Sequence, residues 1–374
     1  MQRQLNTQII RTRMQERGFN NSKLGKELDV SREAVSQWLS GKSLPRPKKL
    51  LDLALALDST VSQLTSPAES QVPVIAFRKR GAGKTTESHR ERAQQMGLLL
   101  KPIVPHLPFD SFVAPQTLKE PVTDYPYLQA LALKLRKDLG VGEYGKIDFS
   151  HLIKHFTRHQ AVLIPVLWAN KSAHENALHI YLPDSRTTWV YLNLDVEVHD
   201  FKFWMTHELG HILSPQLRGN EAEDFADAFA GALLFPEPLA EVAYKKIRRK
   251  SGAGAQINAF KQIAEEHTLS PYTVYCETNK YADSRKLSKF SLEPQIHGAS
   301  KNLSKEYYSV SESLFGEGTA EPSALIKFAN REFDSPFFDA LKAYLVESGK
   351  GAGYLQSILN IPVVDAQALR AELA

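Results

Sequence analysis

The most informative stretch of the chain is residues 207–211, which read His-Glu-Leu-Gly-His. On an α-helix, His207 and His211 lie one turn apart on the same face, so both imidazoles can reach one metal ion. Glu208 between them can reach a water molecule beside that ion and act as a general base. The spacing predicts a metal-dependent hydrolase, with zinc as the expected ion and manganese as the other candidate. A chance occurrence of the motif is the alternative, and a third ligand would argue against it.

The third ligand is expected from a helix that packs against the first one. A proline and a glycine predict a break after the first helix, and Asn220 can then begin a second helix with Glu223 in its first turn. Glu223 is the expected ligand, and Glu221 on the same turn is a second candidate. Glu223 could instead form a capping box with Asn220, which would leave no third protein ligand. Asp227, one turn further on, is expected to accept a hydrogen bond from a ligand histidine and to fix its tautomer.

Two helices and a small sheet must position these side chains. The helices are predicted over 201–213 and 220–234, and small residues on the second helix are expected to let the two approach closely: Ala226, Ala230 and Gly231. Stretches rich in β-branched and aromatic residues predict three strands, over 161–168, 177–182 and 188–194. The strand over 188–194 precedes the metal helix, and it is either an edge strand that pairs with a peptide substrate or part of the sheet core. The other histidines of this region are expected to be surface or structural residues: His174, His179 and His199.

A family resemblance rests on two runs of residues. Residues 206–213 (Thr-His-Glu-Leu-Gly-His-Ile-Leu) and 223–236 (Glu-Asp-Phe-Ala-Asp-Ala-Phe-Ala-Gly-Ala-Leu-Leu-Phe-Pro) resemble the signature of the ImmA/IrrE metallopeptidases. Phe235 stands where that family usually has Met, and Asp227 where Asn is common. The resemblance, over roughly 125–245, implies a gluzincin-like fold, a zinc ion and peptidase activity against a transcriptional repressor. It also implies a place in a stress, mobile-element or phage-defence switch.

The N-terminal residues predict a second kind of function. A helix over 22–28, a tight turn at Asp29 and a helix over 32–39 make a helix-turn-helix, and Ser31 caps its second helix. The outer face of that helix is expected to meet base edges, while basic and polar neighbours hold phosphates. The DNA-binding residues predicted in this way are Asn21, Ser31, Arg32, Glu33, Ser36, Gln37, Lys42 and Lys48, with Lys49 as a further phosphate contact. A helical bundle that contacts protein is the alternative.

Residues 8–66 carry the run Val-Ser…Val-Ser-x-Trp…Gly-Lys…Pro, which resembles the XRE (Cro/repressor-like) family. The resemblance implies binding to a double-stranded DNA operator as a homodimer. Two departures stand out: Asp29 replaces the glycine usual in the turn, and Gly25 replaces the alanine usual in the first helix. Asp tolerates the left-handed conformation, and Gly weakens a helix only slightly.

The composition of the 374 residues is ordinary for a soluble globular protein. The single cysteine, Cys276, forms no intramolecular disulfide, which fits a reducing cytoplasm. Neither a signal peptide nor a membrane-spanning stretch is evident, so a cytoplasmic protein without a membrane partner is expected. The first hundred residues are basic and the remainder is slightly acidic, which favours a polyanion partner for the N-terminal part. The segment 81–85 resembles a P-loop, but Arg78 stands where the first glycine is required, so no nucleotide binding is expected.

The expected fold class is α+β and mostly helical. The predicted order is a five-helix helix-turn-helix domain (1–66), a basic, proline-containing linker (67–125) with one helix expected over 87–100, a metallopeptidase domain with a small sheet (126–285) and a helical C-terminal region (286–374). Two functional hypotheses remain. The chain is a DNA-binding regulator with a working zinc metallopeptidase that cleaves a repressor or its own N-terminal unit, or it is a repressor whose peptidase-like domain is a non-proteolytic sensor or scaffold. The intact set of predicted site residues favours the first hypothesis.

Overall fold

The structure is a computed structural model that describes residues 3–40, 43–67, 73–79, 87–109, 117–168, 175–316, 318 and 320–374. The chain divides into two compact units, Met1–Gln71 and Val72–Ala374. The predicted phosphate contact Lys42, the glycine-rich segment 81–85 and His174 lie outside the described residues. No helix in the described ranges is long and apolar enough to cross a membrane.

The first unit contains the five predicted helices and a short two-stranded sheet. Its elements are β1 (Arg3–Leu5), α1 (Thr7–Glu16), α2 (Asn21–Glu27), α3 (Arg32–Leu39), α4 (Pro47–Ala56), α5 (Val61–Leu64) and β2 (Thr65–Pro67). β1 and β2 pair antiparallel. The apolar residues spaced along the helices bury one another in a single small core, which includes Ile10, Leu24, Leu28, Val35, Trp38, Leu53 and Leu57.

The turn between α2 and α3 explains both departures from the XRE pattern. Asp29 has a φ of 51°, the left-handed conformation that a glycine would otherwise supply. A Cβ built on Gly25 would lie 2.8 Å from the carbonyl oxygen of Val30, so a glycine is required there by the close approach of the turn. Ser31 caps α3 as predicted, because its hydroxyl accepts a hydrogen bond from the backbone N–H of Ala34.

The second unit has one four-stranded sheet and fourteen helices among its described residues. Its strands are β3 (Val74–Lys79), β4 (Ala161–Val166), β5 (Glu175–Leu182) and β6 (Thr187–Asn193). The first six α-helices of this unit are α6 (Glu87–Leu100), α7 (Tyr125–Asp138), α8 (Phe149–Arg158), α9 (Val198–Leu213), α10 (Asn220–Leu234) and α11 (Glu237–Arg248), and a 3-10 helix (Lys101–His106) follows α6. The remaining helices are α12 (Ala253–His267), α13 (Pro271–Ser284), α14 (Glu293–Glu306), α15 (Val310–Phe315), α16 (Pro322–Glu332), α17 (Phe337–Ser348), α18 (Ala352–Leu359) and α19 (Val363–Glu372).

The sheet lies between two layers of helices. Its strand order is β3-β5-β6-β4, in which β4 and β6 are parallel and the other neighbours are antiparallel. Successive residues of β6 point to opposite faces. Val190 and Leu192 face a core built mainly with α7–α13, whereas Trp189 and Tyr191 face a core built with α6 and α17–α19. All seven residues of β6 are buried, as expected for a strand covered on both faces.

The structure bears on three expectations about this unit. The residues assigned to a linker over 67–125 include β3, which pairs with β5, so that part of the assignment is wrong. The helix expected within this segment is confirmed as α6, and it contributes Met96 and Leu100 to a core. The C-terminal region is helical, but its last three helices cover one face of the sheet and are not a separate region. Of the two alternatives for the strand over 188–194, the sheet core is the one observed, because β5 and β4 flank β6 on both sides. The prediction of a mostly helical chain with a small sheet is confirmed.

Candidate metal centre

Helix α9 carries both histidines of the motif. His207 and His211 are four residues apart and fully or almost fully buried, and their Nε2 atoms are 3.0 Å apart. Two ring nitrogens so close leave a single small volume in front of both. Lys202 of the same helix is buried, and its ammonium donates hydrogen bonds to the carbonyl oxygens of Ile147 and His267. Burial of that side chain lowers the pKa of Lys202 to about 7.

Helix α10 brings a carboxylate to the same place. Glu223 Oε2 lies 3.4 Å from His207 Nε2, and Glu223 Oε1 lies 3.5 Å from His211 Nε2. One potential ligand atom from each of the three side chains lies within 4.8 Å of the others. Over the described part of the chain, no other trio of His, Cys, Asp or Glu side chains has this arrangement. The predicted trio of side chains is therefore assembled by the fold.

Neither alternative to Glu223 as the third ligand agrees with the geometry. Glu221 is exposed and does not belong to the trio. A capping box with Asn220 is also absent, because α10 is preceded by Gly219 as its N-cap, with a φ of 58° and no capping side chain. Asn220 is thus the first residue of the helix itself, and Glu223 is left to face α9.

Asp227 occupies the supporting position that was predicted for it. Its Oδ1 lies 2.9 Å from Nδ1 of His207, so the other ring nitrogen of His207 is directed at the trio. Burial opposes a charge on His207, but hydrogen bonds with Asp227 and Glu223 overcome this effect and raise its pKa to about 9. Burial lowers the pKa of His211 well below its ordinary value, and repulsion from His207 adds to the effect.

Glu208 is the residue with the least satisfied side chain in this region. It is fully buried, and within the described structure neither carboxylate oxygen has a hydrogen-bond partner. Burial raises the pKa of Glu208 to about 8, the negative charge of Glu223 adds to the rise, and His207 opposes it. Burial of a carboxyl group without hydrogen-bond partners costs free energy unless a ligand or water supplies the missing hydrogen bonds. Groups of this kind are typical of functional sites.

The donor set fits a divalent transition metal. Two imidazoles and one carboxylate are the ligand types that zinc takes in hydrolytic sites that keep one position open. Three further observations agree with such an ion: the short distance between the two Nε2 atoms, the carboxylate facing both, and the unpartnered oxygens of Glu208. His207, His211 and Glu223 are thus the residues that could hold the metal.

His179 is a site residue that the sequence did not reveal. It lies on β5, is 5% exposed, and packs its ring 5.8 Å from the ring of His211. Its Nε2 has no hydrogen-bond partner among the described residues, and burial lowers its pKa to about 3. Of the two roles expected for His179, surface or structural, its burial excludes the surface role. His199 is buried as well, and its ring centroid lies 4.5 Å from that of Tyr307. Only strand pairing brings β5 beside α9, so no local pattern could have shown the contact.

In the first unit, the predicted recognition face is exposed. Leu24, Leu28, Val35 and Trp38 are buried, and the outward-facing residues of α3 are Arg32, Glu33, Ser36 and Gln37. Lys48 is exposed as well, and Asn21 is half-buried. Lys49 differs from its prediction, because its ammonium donates to the carbonyl oxygen of Leu28, 2.5 Å away, and so closes the end of α2.

Comparison with known proteins bears on the N-terminal unit. Residues 10–64 match the helix-turn-helix family. No curated protein sequence matches the chain. The match supports a DNA-binding regulator with an XRE-type helix-turn-helix.

Proposed function

We propose that this DNA-binding regulator carries a zinc-dependent metallopeptidase in its second unit. The observation that carries the proposal is the convergence of His207, His211 and Glu223 beside the buried, unpartnered carboxyl of Glu208. The resemblance of residues 206–213 and 223–236 to the ImmA/IrrE family supports the same conclusion and suggests a repressor protein as the substrate. The chain's own helix-turn-helix unit is the other candidate substrate.

The roles of the side chains follow from their positions. A divalent ion held by the trio would polarise a scissile carbonyl and acidify a water molecule. Glu208 takes a proton from the attacking water on a carboxylate oxygen and passes it to the leaving amine. Asp227 accepts a hydrogen bond from Nδ1 of His207 and thereby directs Nε2 toward the trio. His179 lies beside His211 and is neutral at pH 7, so its ring N–H would be a donor to the oxygen on which negative charge develops.

An extended substrate needs an unpaired strand edge. β6 cannot offer one, since both of its edges are paired. β3 is the edge strand next to β5, which carries His179. We therefore expect a substrate peptide to add to the free edge of β3, one strand away from β5.

We expect this chemistry to serve the regulation of transcription. An XRE-type unit binds operator DNA, and by analogy with that family we expect a homodimer on a palindromic site. Proteolysis linked to such a unit would remove a repressor in response to stress, a mobile element or phage. The protease would then act rarely and on a DNA-binding protein.

The deciding experiment compares the wild-type protein with Glu208→Gln in the host cell. Metal analysis of the purified proteins is expected to give about one zinc per chain in both, because Glu208 is not a ligand. New protein N-termini, mapped by mass spectrometry after stress, are expected in wild-type cells and not in Glu208→Gln cells. Glu223→Ala is the companion variant, and it is expected to lose the metal as well as the cleavage.

A non-proteolytic sensor or scaffold is the second candidate function. It is favoured by a cavity of about 430 Å³ that is lined by none of the residues of the candidate metal centre. Full zinc loading with identical N-termini in wild-type and Glu208→Gln cells would select this function over proteolysis.

A further inference from the structure

A cavity of about 430 Å³ opens beside the ends of two parallel strands. β4 and β6 run in the same direction, and the cavity is lined by Pro165 and Val166 at the end of β4 and by Asp195 just after β6. Ligand sites in open α/β sheets lie outside the carboxyl ends of the parallel strands. The volume is also that of a site for a small organic molecule. We name this space the strand-end cavity.

The lining of the strand-end cavity combines apolar surface with one sign of charge. Its apolar wall includes Leu167, Leu325, Leu359, Ile361 and Leu369. Three carboxylates, on Asp195, Glu312 and Asp365, share the lining. No Lys, Arg or His is among the described residues that line it. A ligand that fits this surface has an apolar body and a positive charge, because an anion would be repelled.

Two of the three carboxylates accept hydrogen bonds from serine residues of the wall. The Ser311 hydroxyl donates to Asp195 Oδ1 at 2.6 Å. Glu312 accepts hydrogen bonds from the backbone N–H and the hydroxyl of Ser309 at 2.8 and 2.9 Å. The hydrogen bond from the Ser309 backbone holds the pKa of Glu312 below its ordinary value. Asp365 lies in the first turn of α19, where the helix dipole favours a negative charge. The charges therefore belong to ordered positions of the wall.

Two backbone hydrogen bonds join the same wall to the segment that leads into α9. The backbone N–H of Val310 donates to Val196 O at 2.9 Å, and that of Ser311 donates to Leu194 O at 2.8 Å. α9 begins two residues after Val196, at Val198. A molecule seated against Asp195 and Ser311 would thus contact the connection between β6 and the helix that carries His207 and His211.

We propose that the strand-end cavity is a binding site for a small organic cation with an apolar body, such as an aryl-alkyl amine. The ligand's ammonium group lies among Asp195, Glu312 and Asp365, and its body lies against the leucines of the wall. This site is separate from the candidate metal centre, and its ligand acts as a signal. The proposal does not depend on proteolysis.

Tryptamine is the probe for this site, measured by isothermal titration calorimetry on the full-length protein. Tryptophol and indole-3-acetate have the same ring with a neutral and a negative end, respectively. Tryptamine is expected to bind at least about tenfold more tightly than either, because only it offers a cation to the three carboxylates. No binding of tryptamine, or equal binding of the three indoles, would overturn the proposal.

Two pairs of variants locate the binding. Asp365→Asn is expected to weaken tryptamine binding about tenfold, whereas Asp339→Asn, in the first turn of α17 and outside the lining, is expected to leave it unchanged. Ala368→Trp is expected to fill the cavity and abolish binding, and Ala371→Trp on the same helix is its control, since both alanines are exposed and only Ala368 lines the cavity. Unchanged binding in Asp365→Asn and Ala368→Trp would place tryptamine elsewhere and overturn the proposal.

Glu208→Gln separates this proposal from the proposed peptidase. The variant is expected to bind tryptamine as the wild type does, because Glu208 does not line the cavity. A protein that binds tryptamine but cleaves nothing would contradict the peptidase alone, and a protein that cleaves but does not bind tryptamine would contradict the cavity proposal alone.

Discussion

Gly210 of α9 lies directly against Ala226 of α10. A Cβ built on Gly210 would be 2.9 Å from Ala226 Cα and 3.2 Å from Ala226 Cβ, so the two helices touch through their backbones. This contact lets Glu223, less than one turn before Ala226, reach the histidines on α9. Gly231 was expected to serve the same purpose, but it instead makes room for Glu277 of α13. The distance between the two helices therefore depends on Gly210 and Ala226.

Gly210→Ala is expected to separate the helices and to weaken metal binding. The added methyl meets backbone atoms that cannot rotate away, so we expect a loss of about 1–3 kcal/mol in the free energy of unfolding. Zinc affinity, measured by competition with a chromogenic chelator, should fall in parallel. Gly298→Ala is the control, because nothing lies within 4 Å of a Cβ at this position in α14. Equal behaviour of the two variants would contradict the importance of the contact.

Asp227→Asn tests the bond to His207. The variant keeps the size of the side chain but removes the charge that fixes the imidazole, and loss of such a hydrogen-bond partner of a ligand histidine weakens metal binding by about 10–100-fold. The measurement is again zinc competition. Asp224→Asn on the exposed side of the same helix should retain the wild-type affinity. A wild-type affinity in Asp227→Asn would show that the hydrogen bond does not support a ligand.

His179→Phe tests the residue that strand pairing brings to the centre. Because His179 is not one of the three ligands, the variant is expected to bind zinc with the wild-type stoichiometry. Cleavage, followed as the abundance of the new N-termini, should fall about a hundredfold through loss of transition-state stabilisation. If cleavage continues at the wild-type rate, His179 has only a packing role.

The recognition helix is tested by comparing specific with random DNA. Arg32→Ala and Gln37→Ala are expected to relax sequence preference, since these exposed side chains face outward from α3. Lys48→Ala should weaken binding to all DNA and reduce the slope of log K against log salt by about one. Affinities are measured by fluorescence anisotropy over a salt series. Equal losses from all three variants on both DNAs would contradict the assignment of α3 as the recognition helix.

His155 gives the second unit a defined response to acid. It is buried in α8, neither ring nitrogen has a hydrogen-bond partner among the described residues, and burial lowers its pKa from 6.5 to about 4, helped by His159 and Arg158 and opposed by Asp138. Between these two pH values the unfolded chain binds a proton that the folded chain does not. The free energy of unfolding therefore falls as the pH drops from about 6.5 to 4, by about 3 kcal/mol for this residue.

Urea unfolding of the wild type and of His155→Leu across this pH range measures the contribution. The variant should lose less stability on acidification, while His297→Gln, a change at an exposed histidine, should follow the wild type. Parallel pH profiles for the wild type and His155→Leu would mean that His155 does not titrate in this window.

The sequence by itself determined the features that depend on short spacing. Helix α9 with two histidines one turn apart, the cap at Ser31 and the left-handed Asp29 are all set by residues within a few positions of one another. Such features need only the geometry of one helix or one turn. The choice of Glu223 also follows from helix periodicity once a second helix is assumed.

Only the tertiary structure decided what lies around these elements. β3 joins the sheet although its residues resemble a linker, β6 becomes a central strand, and His179 meets His211 across a strand–helix contact. The exclusion of Glu221 as a ligand and the strand-end cavity likewise depend on how distant segments pack. Strand pairing joins residues far apart in the chain through backbone hydrogen bonds that every residue type can make, so the side-chain pattern carries little information about it.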